Sequence, residues 1–202
     1  MNEMSMSGET WLGAAASFLA MWVVMMVAMM LPSLVPTLWR YRQAGLGWLT
    51  ALGGVGYFLV WTAFGMAAFP LGLALTRIVP IAVGVVVLMA GFFQFTAWKA
   101  HHLACCREAG RGPVSADAAT AWRHGLRLGL HCAKCNVGLM AILLGLGVMD
   151  LRAMAVVATA ITVERLAPAG ERVARATGAI VIVAGLFLIA LRSRWTGALP
   201  GR

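Results

Sequence analysis

Residues 11–39 read WLGAAASFLAMWVVMMVAMMLPSLVPTLW, from Trp11 to Trp39 without one charged side chain. A helix needs about 20 apolar residues to cross a bilayer, so this stretch is long enough on its own. Ser7 or Thr10 can cap its start. Pro32 and Pro36 each remove a backbone donor and are expected to kink or end it, and Arg40 and Arg42 follow as a stop.

The rest of the chain repeats the pattern. Further apolar segments are expected at about 46–69, 71–98 (interrupted at Arg77–Pro80, with Lys99 at its exit), 119–149, 151–168 and 174–191. Arg192, Arg194 and Trp195 serve as the last anchor. The polar stretch from Cys106 to Trp122 reads as the one real loop. The composition agrees: 61% of the 202 residues are hydrophobic, 11% are charged and mean hydropathy is +0.86. Soluble domains hold about 45–50% apolar and about 25% charged residues. A soluble domain, a disordered chain and a small disulfide scaffold are therefore excluded. The start of the chain shows no basic n-region of a cleavable signal. The expected fold is an all-α membrane protein. It is one integral domain over 1–202, a bundle of about six transmembrane helices with one longer cytoplasmic loop.

Net charge is +9, from 16 Lys and Arg against 7 Asp and Glu. The basic residues sit between apolar segments, where they report orientation and lipid-phosphate contact rather than nucleic-acid binding. Connections one-two, three-four and five-six hold Arg40, Arg42, Lys99, Arg107, Arg111, Arg123, Arg127, Arg165, Arg172 and Arg175. The other side holds Arg77, Arg152, Arg192, Arg194 and Arg202. The richer side is expected to be cytoplasmic, with both termini outside, in the bacterial inner membrane. Thiols stay reduced on that side.

All four cysteines and all four histidines lie between His101 and Cys135. His101 and Cys105, His102 and Cys106, and His131 and Cys135 are i,i+4 pairs, and such pairs share a helix face. His124, His131 and Cys135 fall in one arc, with Cys132 at its edge. Two consecutive helices can thus bring His101 and Cys105 opposite His131 and Cys135, with Cys132, Cys106 and His102 as second candidates. Imidazole and thiolate together suit copper or zinc rather than magnesium or calcium. The Cys132–Cys135 pair also fits a thiol-disulfide centre whose thiols Lys134 would activate. Eight of 13 methionines fall in the first 30 residues. Met21, Met25 and Met29 form an i,i+4 ladder, which serves either as packing or as a path for Cu(I), since thioethers select that ion. Glu164 and Arg165 read as a local interfacial pair, and Gly125 and Gly129 as close-packing positions.

Several stretches carry a resemblance. They are Met26-Val-Ala-Met-Met-Leu-Pro32, Gly91-Phe-Phe-Gln94 with Lys99, Cys106-Arg107, Gly129-Leu-His-Cys132-Ala-Lys-Cys135 with Leu139-Met140, Gly147-Val-Met149 and Glu164-Arg165. Over roughly residues 15–190 the chain resembles the predicted metal-binding integral membrane proteins, an uncharacterised bacterial family sometimes labelled copper chaperone. Where that family has a second adjacent cysteine and a tryptophan, this chain has Asn136 and Val137. Near His102 the family has a cysteine. The resemblance implies metal handling.

The leading expectation is binding and handling of a soft transition metal, most readily copper with zinc as the alternative. The chain would be a transporter, or a chaperone delivering metal to a membrane or periplasmic protein. The alternatives are a membrane thiol-disulfide oxidoreductase and a scaffold subunit of a larger membrane complex. No hydrolase triad, P-loop or dinucleotide fingerprint is present, and no enzymatic activity is expected.

Overall fold

A computed structural model describes residues 3–75, 81–112, 117–146 and 150–197. The expected interruption at Arg77–Pro80, Gly147–Met149, and the side chains of Met4, Met6, Arg192, Arg194 and Trp195 lie outside the described residues. Within them the chain is all-helical, with seven helices and no strand. They are α1 (Glu3–Gln43), α2 (Gly47–Leu75), α3 (Ile81–Phe93), α4 (Ala97–Arg111), α5 (Ala118–Leu146), α6 (Leu151–Leu166) and α7 (Gly170–Gly197).

Helix α1 runs through Pro32 and Pro36 and stops eleven residues after Pro32, later than expected. Its end is a Schellman cap. Leu46 N–H bonds the Tyr41 carbonyl and Gly45 N–H bonds that of Arg42, both at 3.1 Å. Gly45 supplies the positive φ of 75° that this motif requires. Helix α2 likewise runs through Pro70 and takes up 71–75, which the sequence assigned to the next segment.

The third expected segment is not one rod. Helix α3 ends at Phe93, and α4 restarts at Ala97, bent by 65°. The amides of Gln94, Phe95 and Thr96 bond carbonyls three residues back, which tightens the chain into a turn. The Thr96 hydroxyl then caps α4 by accepting the Lys99 N–H at 3.2 Å. The expected loop from Cys106 to Trp122 is also shorter, because α4 extends to Arg111 and α5 begins at Ala118. Asp117 closes that connection. Its carboxylate accepts the Thr120 N–H and hydroxyl, both at 3.0 Å, and these bonds hold its pKa below the usual carboxylate value.

Four helices are long and apolar enough to cross a membrane, or five if the bent α3–α4 pair counts as one crossing. That is compatible with insertion in a membrane. Helix α5 is the central element, touching α2, α3, α4 and α6, while α7 packs chiefly on α3 at the periphery. Helices α2 and α5 cross on glycine. A Cβ on Gly125 would overlap the Gly53 carbonyl, and one on Gly129 would come within 2.9 Å of the Tyr57 carbonyl. Small residues at such crossings let backbones approach closely. The core between α1, α2 and α5 holds Trp22, Met26, Met30, Tyr57, Trp61, Leu128 and Cys132. Large apolar side chains also cover the outside, among them Val24, Val55, Met89, Ile180 and Phe187. Soluble monomers rarely expose contiguous apolar surface of that kind.

Candidate metal centre

The centre is built around Cys132, which is fully buried at mid-length of α5. Residues three and four apart share a helix face, so Cys132, Cys135 and Asn136 point the same way. Asn136 Nδ2 donates to the Cys132 carbonyl at 2.9 Å and to Cys132 Sγ at 3.3 Å. Cys135 Sγ donates back to the Cys132 carbonyl at 3.3 Å. The close α2–α5 crossing brings in Tyr57, whose hydroxyl donates to Cys132 Sγ at 3.0 Å. From α6, Arg165 Nη1 lies 2.7 Å from Ser33 Oγ, 3.3 Å from Tyr57 Oη and 3.5 Å from Cys132 Sγ. From α4, Cys106 is buried beside Cys132 and Cys135. Cys106, Cys132 and Cys135 are each buried, and no disulfide joins them.

Three donors from three helices therefore converge on one sulfur, and one of them is a cation. Such a sulfur is placed as an acceptor, the role of a thiolate, and the thiolate is the form that binds metal. Arg165 is 7% exposed, and a buried cation needs a compensating partner.

A second buried layer lies beside it. Lys99 Nζ bonds Glu164 Oε2 and the Cys135 carbonyl, both at 2.7 Å. Gln94 Nε2 bonds the other Glu164 oxygen at 3.3 Å. Two expectations are corrected here. Lys99 is not an exit marker, because the turn at Gln94–Thr96 directs its side chain inward, where it is 1% exposed. Glu164 and Arg165 are not a local interfacial pair. Neighbouring residues on a helix point about 100° apart, so Glu164 reaches Lys99 while Arg165 reaches Cys132.

The His/Cys stretch divides in two. The sequence set His101 and Cys105 opposite His131 and Cys135. The structure sets His102 opposite His131, with the Nδ1 atoms 3.3 Å apart, and Cys106 opposite Cys132 and Cys135. The rotation of α4 is reset at the Thr96 cap, so its phase does not continue from α3. His101 and Cys105 pair with each other at 3.6 Å on the exposed side. His124 leaves the arc and packs on Tyr41, with ring centroids 5.9 Å apart. Met25, Met26, Met29 and Met30 are core residues. Met21, with Met25 and Met154, lines a shallow apolar groove of about 490 Å³. Nothing in the sequence singled out Ser33 or Tyr57, and Asn136 stood out only as a departure from the family pattern. A signal was present for Arg165, since an ionisable residue in an apolar segment points to function.

A cleft of about 180 Å³ leads to the centre where α1, α4 and α6 meet. It is lined by Ser33, Thr37, Cys106, Arg107, Arg111 and Arg165, among others. Arginines that bond carbonyls brace its rim. Arg40 holds Gly110 and Gly112, each at 2.9 Å, and Arg107 holds Ala167 at 2.6 Å and Pro168 at 3.0 Å.

The sequence model of the PpoB2 family, described as copper chaperones, matches residues 19–188, which takes in every helix of this centre. The chain belongs to this copper chaperone family. No curated protein and no solved structure matches it. A chaperone's copper is cargo, so its site has to release as well as hold. Among the described residues no group of three or more His, Cys, Asp or Glu side chains is already arranged to hold a metal. The three thiols lie close together, but Cys132 and Cys135 are engaged with protein donors and acceptors.

Proposed function

We propose that this member of the copper chaperone family carries Cu(I) within the bacterial inner membrane, bound by Cys132 with Cys106 and Cys135. The observation that supports this most is the convergence of Tyr57, Asn136 and Arg165 on Cys132 Sγ beside two further thiols. Sulfur ligands select Cu(I). Copper reaches the thiols through the arginine-lined cleft. As Cu–S bonds form, the Cys106 and Cys135 thiols lose their protons to solvent, and Arg165 and Tyr57 give up their contact with Cys132. When copper leaves, those donors return, so the apo sulfur is never left without a partner. Met21, Met25 and Met29 extend the path along α1 towards the opposite side. The chain crosses the membrane with the connections after α1, α4 and α6 in the cytoplasm. The receiver is a membrane or periplasmic protein.

The test is an anaerobic Cu(I) titration of purified protein against a chromophoric Cu(I) chelator. One equivalent should bind and release protons, and affinity should fall as pH falls, because thiolate ligands must be deprotonated. Cys132→Ser should weaken binding most and Cys105→Ser least. Wild-type affinity in Cys132→Ser would overturn the reading.

A further inference from the structure

The imidazoles of His102 on α4 and His131 on α5 stand apart from the buried thiols, and both are partly open to solvent. Their Nδ1 atoms face each other at 3.3 Å. Two zinc–nitrogen bonds of about 2.0–2.1 Å, opened to the tetrahedral angle of about 109°, place the nitrogens about 3.3–3.4 Å apart. Alongside, His101 Nε2 is 3.6 Å from Cys105 Sγ. One zinc–nitrogen bond of about 2.1 Å and one zinc–sulfur bond of about 2.3 Å at the same angle require about 3.6 Å. The His101 and His102 rings lie 5.3 Å apart by their centroids, so the two pairs are neighbours that do not yet converge. Trp98 packs edge-on against His102 at 4.4 Å and fixes that ring. Lys134 and His101 both act on His102 and His131, and Arg127 acts on His131 as well.

We propose that His102 and His131 form the core of a second metal site at the rim of the bundle, taking a borderline divalent ion such as Zn²⁺. Cys105, with His101 beside it, supplies the third donor by rotating about its side-chain bonds at the partly exposed rim. Cys105 as thiolate offsets the positive charge of Lys134. Imidazole with one sulfur suits zinc, while the three buried sulfurs suit Cu(I), so the two sites differ in the ion they select. This site does not depend on the reading of the buried thiols.

Co²⁺, a spectroscopic stand-in for zinc, tests the site on the full chain in detergent with thiols reduced. Wild-type protein should show the intense visible bands of tetrahedral cobalt. His102→Ala and His131→Ala should lose them, and Cys132→Ser should keep them. Cys105→Ser should lose the near-ultraviolet thiolate-to-cobalt band and retain the visible ones. Cu(I) uptake by the His131→Ala protein reports that it is folded. If that uptake is also lost, His131→Phe, which keeps the ring and removes the donor, decides in its place. Cobalt bands that survive both histidine substitutions overturn the site. So do bands that vanish in Cys132→Ser but not in His131→Ala, because the ion would then sit on the buried sulfurs. Absence of Cu(I) binding to the wild-type thiols would instead sink the carrier reading and leave the rim site standing.

Discussion

Glu164 has no exposed surface and its two oxygens are engaged by Lys99 and Gln94. Breaking one side of a buried ion pair costs about 3–5 kcal/mol, because the remaining charge is left unpartnered. Glu164→Met or Lys99→Met should therefore lower thermal stability sharply. The joint Lys99→Met, Glu164→Met variant should recover most of the loss. A double-mutant cycle of melting curves in detergent checks this, and additive losses would count against the pair. The sequence displayed these residues, but not their partners. Lys99 looked like a membrane-exit lysine because the bend ahead of it is set by three local hydrogen bonds and one cap, none of which shows in hydropathy. Arg165 looked like half of a pair because its neighbour is acidic. Its true contacts, Ser33 and Tyr57, lie 132 and 108 residues away. Asn136 serves the site by donating to Cys132.

The α2–α5 crossing governs the centre at the level of elements, since α2 carries Tyr57 and α5 carries Cys132. Gly125→Ala would push a methyl into the Gly53 carbonyl. Overpacking of that kind typically costs about 1–3 kcal/mol. The variant should melt earlier, which thermal unfolding in detergent checks. Gly13→Ala is the control. Nothing lies within 4 Å of its added Cβ, and Ala is preferred to Gly in a helix by about 0.5–1 kcal/mol, so stability should hold or rise. The methionine ladder tests a different helix. Replacing Met21, Met25 and Met29 by Leu should cost under about 1.5 kcal/mol at each position. Copper delivery should still slow if thioethers guide the ion, and unaltered delivery at normal expression would return the ladder to packing. Helix positions were legible because apolar runs are long. The split of the third segment, and with it the face that α4 presents, was not, because helix phase is lost at a turn.

At the scale of the whole molecule, the three connections richest in arginine meet at one end. Arg40 at the end of α1 holds carbonyls at the end of α4, and Arg107 of α4 holds carbonyls after α6. Reporter fusions after Arg42, Gly112 and Gly170 should therefore all report the same compartment, the cytoplasm by the excess of basic residues. A periplasmic signal from the fusion at Gly112 would reverse the orientation and place the cleft outside.

The lysine of the buried layer also sets a clock on synthesis. Lys99 and Glu164 are 65 residues apart, and ribosomes add about 5–20 residues each second. For roughly 3–13 s after Lys99 is made, its carboxylate does not yet exist. Until then the Lys99 ammonium, in the first turn of α4, lacks the carboxylate that pairs with it. The nascent α4 is thus held back from its final seat until α6 has been translated.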